Sequence, residues 1–280
     1  QNSVTFATAI PEHQKNSKRN PVNMDLVKSL TILQHNVQHW PTNKYAFCNI
    51  FNQESPDVIL INSHGCKTDQ PIKIYNYHVH QKNSLNEIHA GTAIAIKKTL
   101  NYRLHENFNS DLISITIETN LGTAEIATDY VPPRTGYLHY PDYYQLFNQQ
   151  HSVYFIGDLN ARHRHLGNCN DNTTGKQLHS LITSNTVIHD GPHFPTFITH
   201  RSKTAPDIIL KNKAAFHNTF ADVGPITPSD HIPIIYRIST QPIATPIPPR
   251  PNSKRAKWKN TSKTSANTPS LSTIISVLQK

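Results

Sequence analysis

Apolar residues in the middle of this chain come in short runs of two kinds. Some alternate strictly with polar ones: Ile113, Ile115 and Ile117 point one way, while Ser114, Thr116 and Glu118 point the other, the period of a half-buried strand. Others, such as Val58-Ile59-Leu60-Ile61, are apolar on both faces and require a strand covered on both sides. This patterning predicts strands at 30–36, 57–62, 77–80, 92–97, 112–118, 123–130, 153–157, 196–200, 207–210 and 232–238. Helical spacing is rarer. Asn43 can cap a segment through Glu54 with Phe47, Ile50 and Phe51 on one face. Pro141 can open a second helix around Tyr144 and Phe147, and Asn172 or Thr173 a third with Leu178, Leu181 and Ile182 as its stripe. Many short strands and few helices predict two packed sheets with helices outside them, and are too strand-rich for a Rossmann-type sheet.

The flanks read differently. Residues 1–30 are polar, lack periodicity and are broken by Pro11 and Pro21, as in a leader or linker. Residues 240–280 open on Pro242, Pro246, Pro248, Pro249 and Pro251, an extended linker, and end with a short apolar spacing at 271–278. The globular part is therefore expected at 31–239. The longest apolar run, Val58 to Ile61, is far short of the roughly 20 residues that span a bilayer, so no membrane partner is expected. A basic-then-apolar signal segment is absent and the three cysteines show no paired spacing, so an intracellular setting, nuclear or cytoplasmic, is expected rather than a secreted one.

The net charge is +9. Taken whole, it suggests nucleic acid. Its location changes that picture. The tail holds Arg250, Lys254, Arg255, Lys257, Lys259, Lys263 and Lys280 with no acid, and the leader a small further excess. The middle balances sixteen Lys and Arg against sixteen Asp and Glu. Any anion affinity of the globular part must come from local patches, histidines or a bound metal.

Chemistry-bearing residues gather at strand ends, where loops hang from a rigid scaffold. They are Asn36 in Leu33-Gln34-His35-Asn36, Tyr130 in Tyr130-Val131-Pro132-Pro133, Asp158 and Asn160 in Gly157-Asp158-Leu159-Asn160, Asp207 before Ile208-Ile209-Leu210, and Ser229-Asp230-His231 before the last strand. Taken singly, each has an ordinary explanation, such as a turn Asp bonding its own backbone. Their order in one chain is what carries information.

That order, with Thr92-Ala93-Ile94-Ala95-Ile96-Lys97, Gly157-Asp158-Leu159-Asn160-Ala161-Arg162-His163 and Asp190-Gly191 followed by Pro195-Thr196-Phe197, resembles the endonuclease/exonuclease/phosphatase (DNase I-like) superfamily. Within it, the chain is most similar to the endonuclease domain of non-LTR, LINE-type, jockey-like retrotransposons. The resemblance implies an α/β four-layer sandwich of two mixed β-sheets flanked by helices. It also implies a Mg2+-dependent enzyme, with Mn2+ as a substitute, that nicks double-stranded target DNA and leaves a 3′ hydroxyl for a linked reverse transcriptase acting on element RNA. By resemblance Asp158 orients or deprotonates the water, Asn160 positions water or phosphate, and His231 acts against the phosphate while Asp207 holds it. Tyr130 contacts phosphate, and Asn36 and Asp230 serve the metal. Arg162, His163, Arg164, Thr196 and Ser229 contact DNA.

One departure matters. The family places a metal-binding Glu after the second apolar strand, where this chain has Asn62-Ser63-His64-Gly65, so Ser63 stands at the Glu position. A second acidic position of the family is Gln38 here. His64 or Asn62 could replace the ligand, although imidazole prefers softer metals. Losing a carboxylate weakens Mg2+ binding, so a catalytically weak or inactive DNA-binding domain is the alternative expectation. A phosphoesterase of the same fold acting on small phosphates is the third, disfavoured by the basic tail and the Arg-His loop.

Overall fold

A computed structural model describes residues 29–83, 90–133, 136–168, 170–200 and 202–244. Nearly all of the leader, the tail beyond Ala244 and the apolar spacing at 271–278 lie outside the described residues. In chain order the elements are β1 (Leu30–Asn36), α1 (Trp40–Glu54), β2 (Val58–Asn62), β3 (Tyr77–Lys82), β4 (Thr92–Lys97), β5 (Tyr102–His105), β6 (Ile113–Thr119) and β7 (Gly122–Thr128). There follow α2 (Tyr140–Phe147), β8 (Ser152–Asp158), α3 (Thr173–Thr183), β9 (Ile188–Gly191), β10 (Phe197–Ile198), β11 (Lys203–Thr204), β12 (Asp207–Lys211), β13 (Thr219–Val223) and β14 (Ile234–Ile238).

The strands form two six-stranded sheets, β13-β14-β1-β2-β4-β3 and β5-β6-β7-β8-β12-β9, with β10 and β11 as a separate hairpin. Each sheet is mixed: β1 and β2 run parallel in one, β7 and β8 in the other. Strand alternation explains how they stack. Leu30, Ile32, Val58 and Leu60 of the first sheet meet Ile113, Ile115, Ile117, Ile126, Ile156 and Ile209 of the second in one buried core. The opposite face of the first sheet (Leu33, Ile59, Ile61) packs on Phe47, Ile50 and Phe51 of α1. That of the second (Phe155, Ile208, Leu210) packs on Tyr143 and Leu146 of α2 and Leu178 and Leu181 of α3. The four-layer sandwich is therefore present, and Val58 to Ile61 is covered on both sides as its composition requires.

Local chemistry sets the helix starts. Asn172 caps α3, its side-chain oxygen accepting from the Gly175 N–H at 2.8 Å. The expected cap at Asn43 is corrected: α1 starts at Trp40, because Pro41, with φ preset for a first turn, sits ahead of it and leaves Asn43 inside the helix. Strands β5, β9, β11 and β13 were not legible from patterning. Three of them are sheet edges: β13 leaves Phe220 and Val223 exposed, and β5 is four residues long with Tyr102 and Leu104 only half-buried against the core. Ladder-like contacts run past Ile238, with Asn120 N–H donating to Gln241 O and Ile243 N–H to Glu118 O.

The inter-sheet core carries the stability. Ile156→Ala, at a fully buried core position, is expected to cost about 2–5 kcal/mol in urea denaturation. Ile188→Ala, on an exposed edge, should stay within about 0.5 kcal/mol.

Candidate active site

The alternation that sends Leu30 and Ile32 into the inter-sheet core sends Gln34 and Asn36 the same way. Registers then align the polar ends. Asn36 pairs with Asn62 across β1 and β2, and Asp158 pairs with Asp207 across β8 and β12. At this end of the sandwich the core changes from apolar to hydrogen-bonded. Asn36 Nδ2 donates to Asp158 Oδ2 at 2.7 Å, and Gln34 Nε2 donates to Asp207 Oδ1 and to Asn62 Oδ1, both at 2.8 Å. Asn62 in turn accepts from the Asp158 N–H and donates to Thr128 Oγ1 and the Asp129 carbonyl. All of these side chains are buried.

His231 completes the group. Its Nδ1 lies 2.9 Å from Asp207 Oδ2, its Nε2 3.9 Å from Asp158 Oδ2, and its ring meets Phe197 edge-on at 4.9 Å. Burial alone would neutralise the ring. The charge and hydrogen bond of Asp207, with Asp158 and Asp230 adding, outweigh that and hold His231 at about 9. Burial would likewise raise Asp207, but His231, Thr196 and Gln34 keep it below the ordinary carboxylate value. Asp158 goes the other way: burial, then the charge of Asp207, pushes it up to about 6 against the opposing His231, Asn36 and Asn160. At neutral pH the array is thus an imidazolium held between two carboxylates.

A cleft of about 480 Å³ opens over this array, lined among others by Asn36, Ser63, Tyr130, Asp158, Asn160, Arg162 and His231. These seven were singled out by sequence, while His163 and Arg164, expected beside Arg162, are not part of the lining. Asn160, at φ 46°, donates one amide N–H to the Val131 carbonyl, which leaves the second N–H of that amide for a ligand. Tyr130 is bridged to Asp158 along the backbone. Asp207 and Thr196 sit behind the lining, and Asp230 is exposed and outside it.

Four expected roles are corrected. His64 is buried with both ring nitrogens engaged, Nδ1 by the Cys66 N–H and Nε2 by the Lys82 carbonyl, so it does not face a metal. Thr196 is fully buried with its hydroxyl against the Asp207 N–H, which makes it a support for Asp207 rather than a DNA contact. Ser229 spends its hydroxyl on the Asn36 carbonyl and Gln38 Oε1 and accepts from the His231 N–H. Asn62, expected only as a stand-in metal ligand, is instead a fully buried support, and its partner Gln34 was missed. The available signal was a polar residue at an inward position of an otherwise apolar strand.

Asp158, Asp207 and His231 each offer a ligand atom within 4.8 Å of the others, the one such grouping among the described residues. The cleft's oxygen donors suit a hard divalent cation in type. In charge they suit only a weakly held one: Asp158 is the sole carboxylate of the lining, Asp207 is committed to Gln34 and His231, and Gln38 Oε1 is taken by Ser229 and the Asp230 N–H.

The dyad makes a pH prediction. A ring whose folded pKa is raised contributes stability that is complete below its ordinary 6.5 and lost as pH rises through about 9. In Asp207→Asn, the His231 titration followed by NMR should fall from about 9 to the ordinary imidazole range or below. The loss of stability between those two pH values should flatten with it. An unchanged His231 titration would refute the pairing.

Comparisons with known proteins fit this geometry. The endonuclease domain of TRAS1, a telomere-specific non-LTR retrotransposon, superposes with a TM-score of 0.61 at 17% identity, covering 75% of this chain and 98% of that one. The catalytic domain of Xenopus laevis APE2 gives 0.59 at 16% identity (77% and 94% covered). The AP endonuclease LMAP from Leishmania major gives 0.59 at 13% identity (84% and 92% covered). At such identities the likeness establishes the fold. No curated protein matches the chain as a sequence relative. Residues 126–235, which carry Tyr130, Asp158, Asn160, Asp207 and His231, match the model of the endonuclease-reverse transcriptase family, and the fold around them is the one these nuclease domains share.

Proposed function

We propose that this domain is a metal-assisted DNA endonuclease that nicks duplex target DNA by phosphodiester hydrolysis and leaves a 3′ hydroxyl. The observation that carries the reading is the buried Asp158–His231–Asp207 array opening into the cleft. Hydrolysis needs an oriented water, a group to accept its proton and positive charge where the phosphate oxygens gain negative charge. Asp158, ionised above about pH 6, orients the water and takes its proton. His231, kept cationic by Asp207, faces the phosphate as electrostatic stabiliser and proton donor to the leaving oxygen. The second N–H of Asn160 and the Arg162 side chain bind phosphate oxygens, with Tyr130 beside them. Asp158 and Asn36 would hold a Mg2+ or Mn2+ ion, with Asp230 nearby; when bound, it supplies Lewis-acid polarisation of the phosphate.

In the same reading, 31–239 is the nuclease and 240–280 a Pro-rich basic linker toward a reverse transcriptase that copies element RNA from the nicked end. Work on DNA would set the domain in the nucleus or cytoplasm. None of the described helices is long and apolar enough to cross a membrane.

A second reading, DNA binding without cutting, is favoured by one observation: neutral Ser63 and Gln38 stand in the cleft where charge would hold a cation. A supercoiled-plasmid assay separates the two. Wild type should nick in millimolar Mg2+ or Mn2+, and Asp158→Ala or His231→Ala should each lower the rate on the order of a thousandfold. If wild type cuts nothing while Ser63→Glu cuts, the second reading replaces the first. If both bind DNA and neither cuts, the catalytic assignment fails.

A further inference from the structure

Next to the catalytic cleft lies a second one of about 390 Å³, and Thr204 of β11 lines both. Its wall includes His165, His189, His193, Phe194 and Lys203, and none of its lining residues is acidic. His189 and His193 stand edge to face at 6.0 Å. His165 also belongs to a group of three imidazoles with His163 and His179, at centroid separations of 4.1, 4.8 and 5.3 Å. The rings in that group are within 24° of parallel. Rings stacked in this way do not aim their nitrogens at one point, so the group is not a preformed metal site. His163 Nδ1 accepts from the His165 N–H, which requires an unprotonated nitrogen there.

We propose that this histidine-lined cleft is a second phosphate subsite, which takes the DNA backbone where it leaves the catalytic cleft and gathers protons as the strand binds. The inference rests on the DNA reading above. The globular region carries no net charge from Lys, Arg, Asp and Glu, so a polyanion has to be met by local cations. Clustered imidazoles suit that demand. Desolvation, then the charges of His163 and His165, hold His179 below the ordinary value, with Asp171 opposing. Burial, then His193, does the same for His189, with the Gly191 backbone and Asp190 opposing. A phosphate placed among such rings offsets their mutual repulsion and favours the charged form. The other charged groups around them are Arg162 and Arg164 on the same turn, Lys203 on β11, Asp171, whose carboxylate accepts from the Arg164 N–H, and Asp190, which is tied to Lys211, Thr219 and Tyr236. Phe194 and Pro195 add an apolar wall against which a sugar or base can lie.

The test uses the whole chain and short duplexes that each carry one uncharged methylphosphonate, moved stepwise along the strand. Affinity is read by fluorescence anisotropy in EDTA, so nothing is cut. At about pH 6, neutralising one phosphate outside the catalytic cleft should weaken wild-type binding roughly fivefold, and less at about pH 8. The double variant His193→Gln with Lys203→Met should lose that discrimination, while its single-turnover nicking rate at saturating DNA stays that of wild type. The proposal is overturned if no such position exists, or if it survives in the double variant. The two readings fail separately. Nicking without an outer interference position removes the subsite and keeps the nuclease; interference without nicking does the reverse; no binding at all removes both.

Discussion

Two carboxylates, Asp158 and Asp207, are buried side by side at the end of an apolar core. Leaving them without partners would cost several kcal/mol per charge. The first sheet supplies the remedy: Asn36 reaches across to Asp158 and Gln34 to Asp207, and His231 brings the one cation. Sheet packing and active-site geometry are therefore the same set of contacts. The parallel register of β1 on β2 sets Asn62 beside Asn36, and the antiparallel register of β12 on β8 sets Asp207 beside Asp158. A one-residue slip in either would turn these side chains to the opposite face and leave the charges stranded.

The same arrangement divides labour between the two carboxylates. Asp207 has both oxygens engaged and serves to keep His231 oriented and charged. Asp158 has the higher affinity for a proton and lines the cleft. Two like groups in contact are thus pushed apart in proton affinity by their surroundings. Ser63 is a neutral member of the cleft lining and takes no part in the contact between Asp207 and His231.

Much of this was legible in the sequence. The central strands were readable because Val58 to Ile61 and Val153 to Ile156 must be covered on both faces, and their ends marked Asn36, Asp158 and Asp207. What escaped was set by long-range partners. Edge strands such as β13 carry no inward stripe. Thr196 and Ser229 are residue types that read equally as ligands of DNA or as internal braces, and only their bonds to Asp207 and to Asn36 and Gln38 decide. His64 looked like a spare metal ligand until its two nitrogens were found on Cys66 and Lys82. The charge was legible in amount and misleading in meaning. The basic excess sits in the flanks, while in the globular part Lys and Arg are balanced by Asp and Glu.

The pH dependence of single-turnover nicking on a defined duplex at saturating metal tests the central claim most directly. A protonated His231 held by Asp207 predicts a rate that falls only as pH rises through about 9. A rate that falls as pH rises through the ordinary imidazole range near 6.5, or one that keeps climbing past the alkaline limb, would contradict an imidazolium held by Asp207 as part of the reacting site.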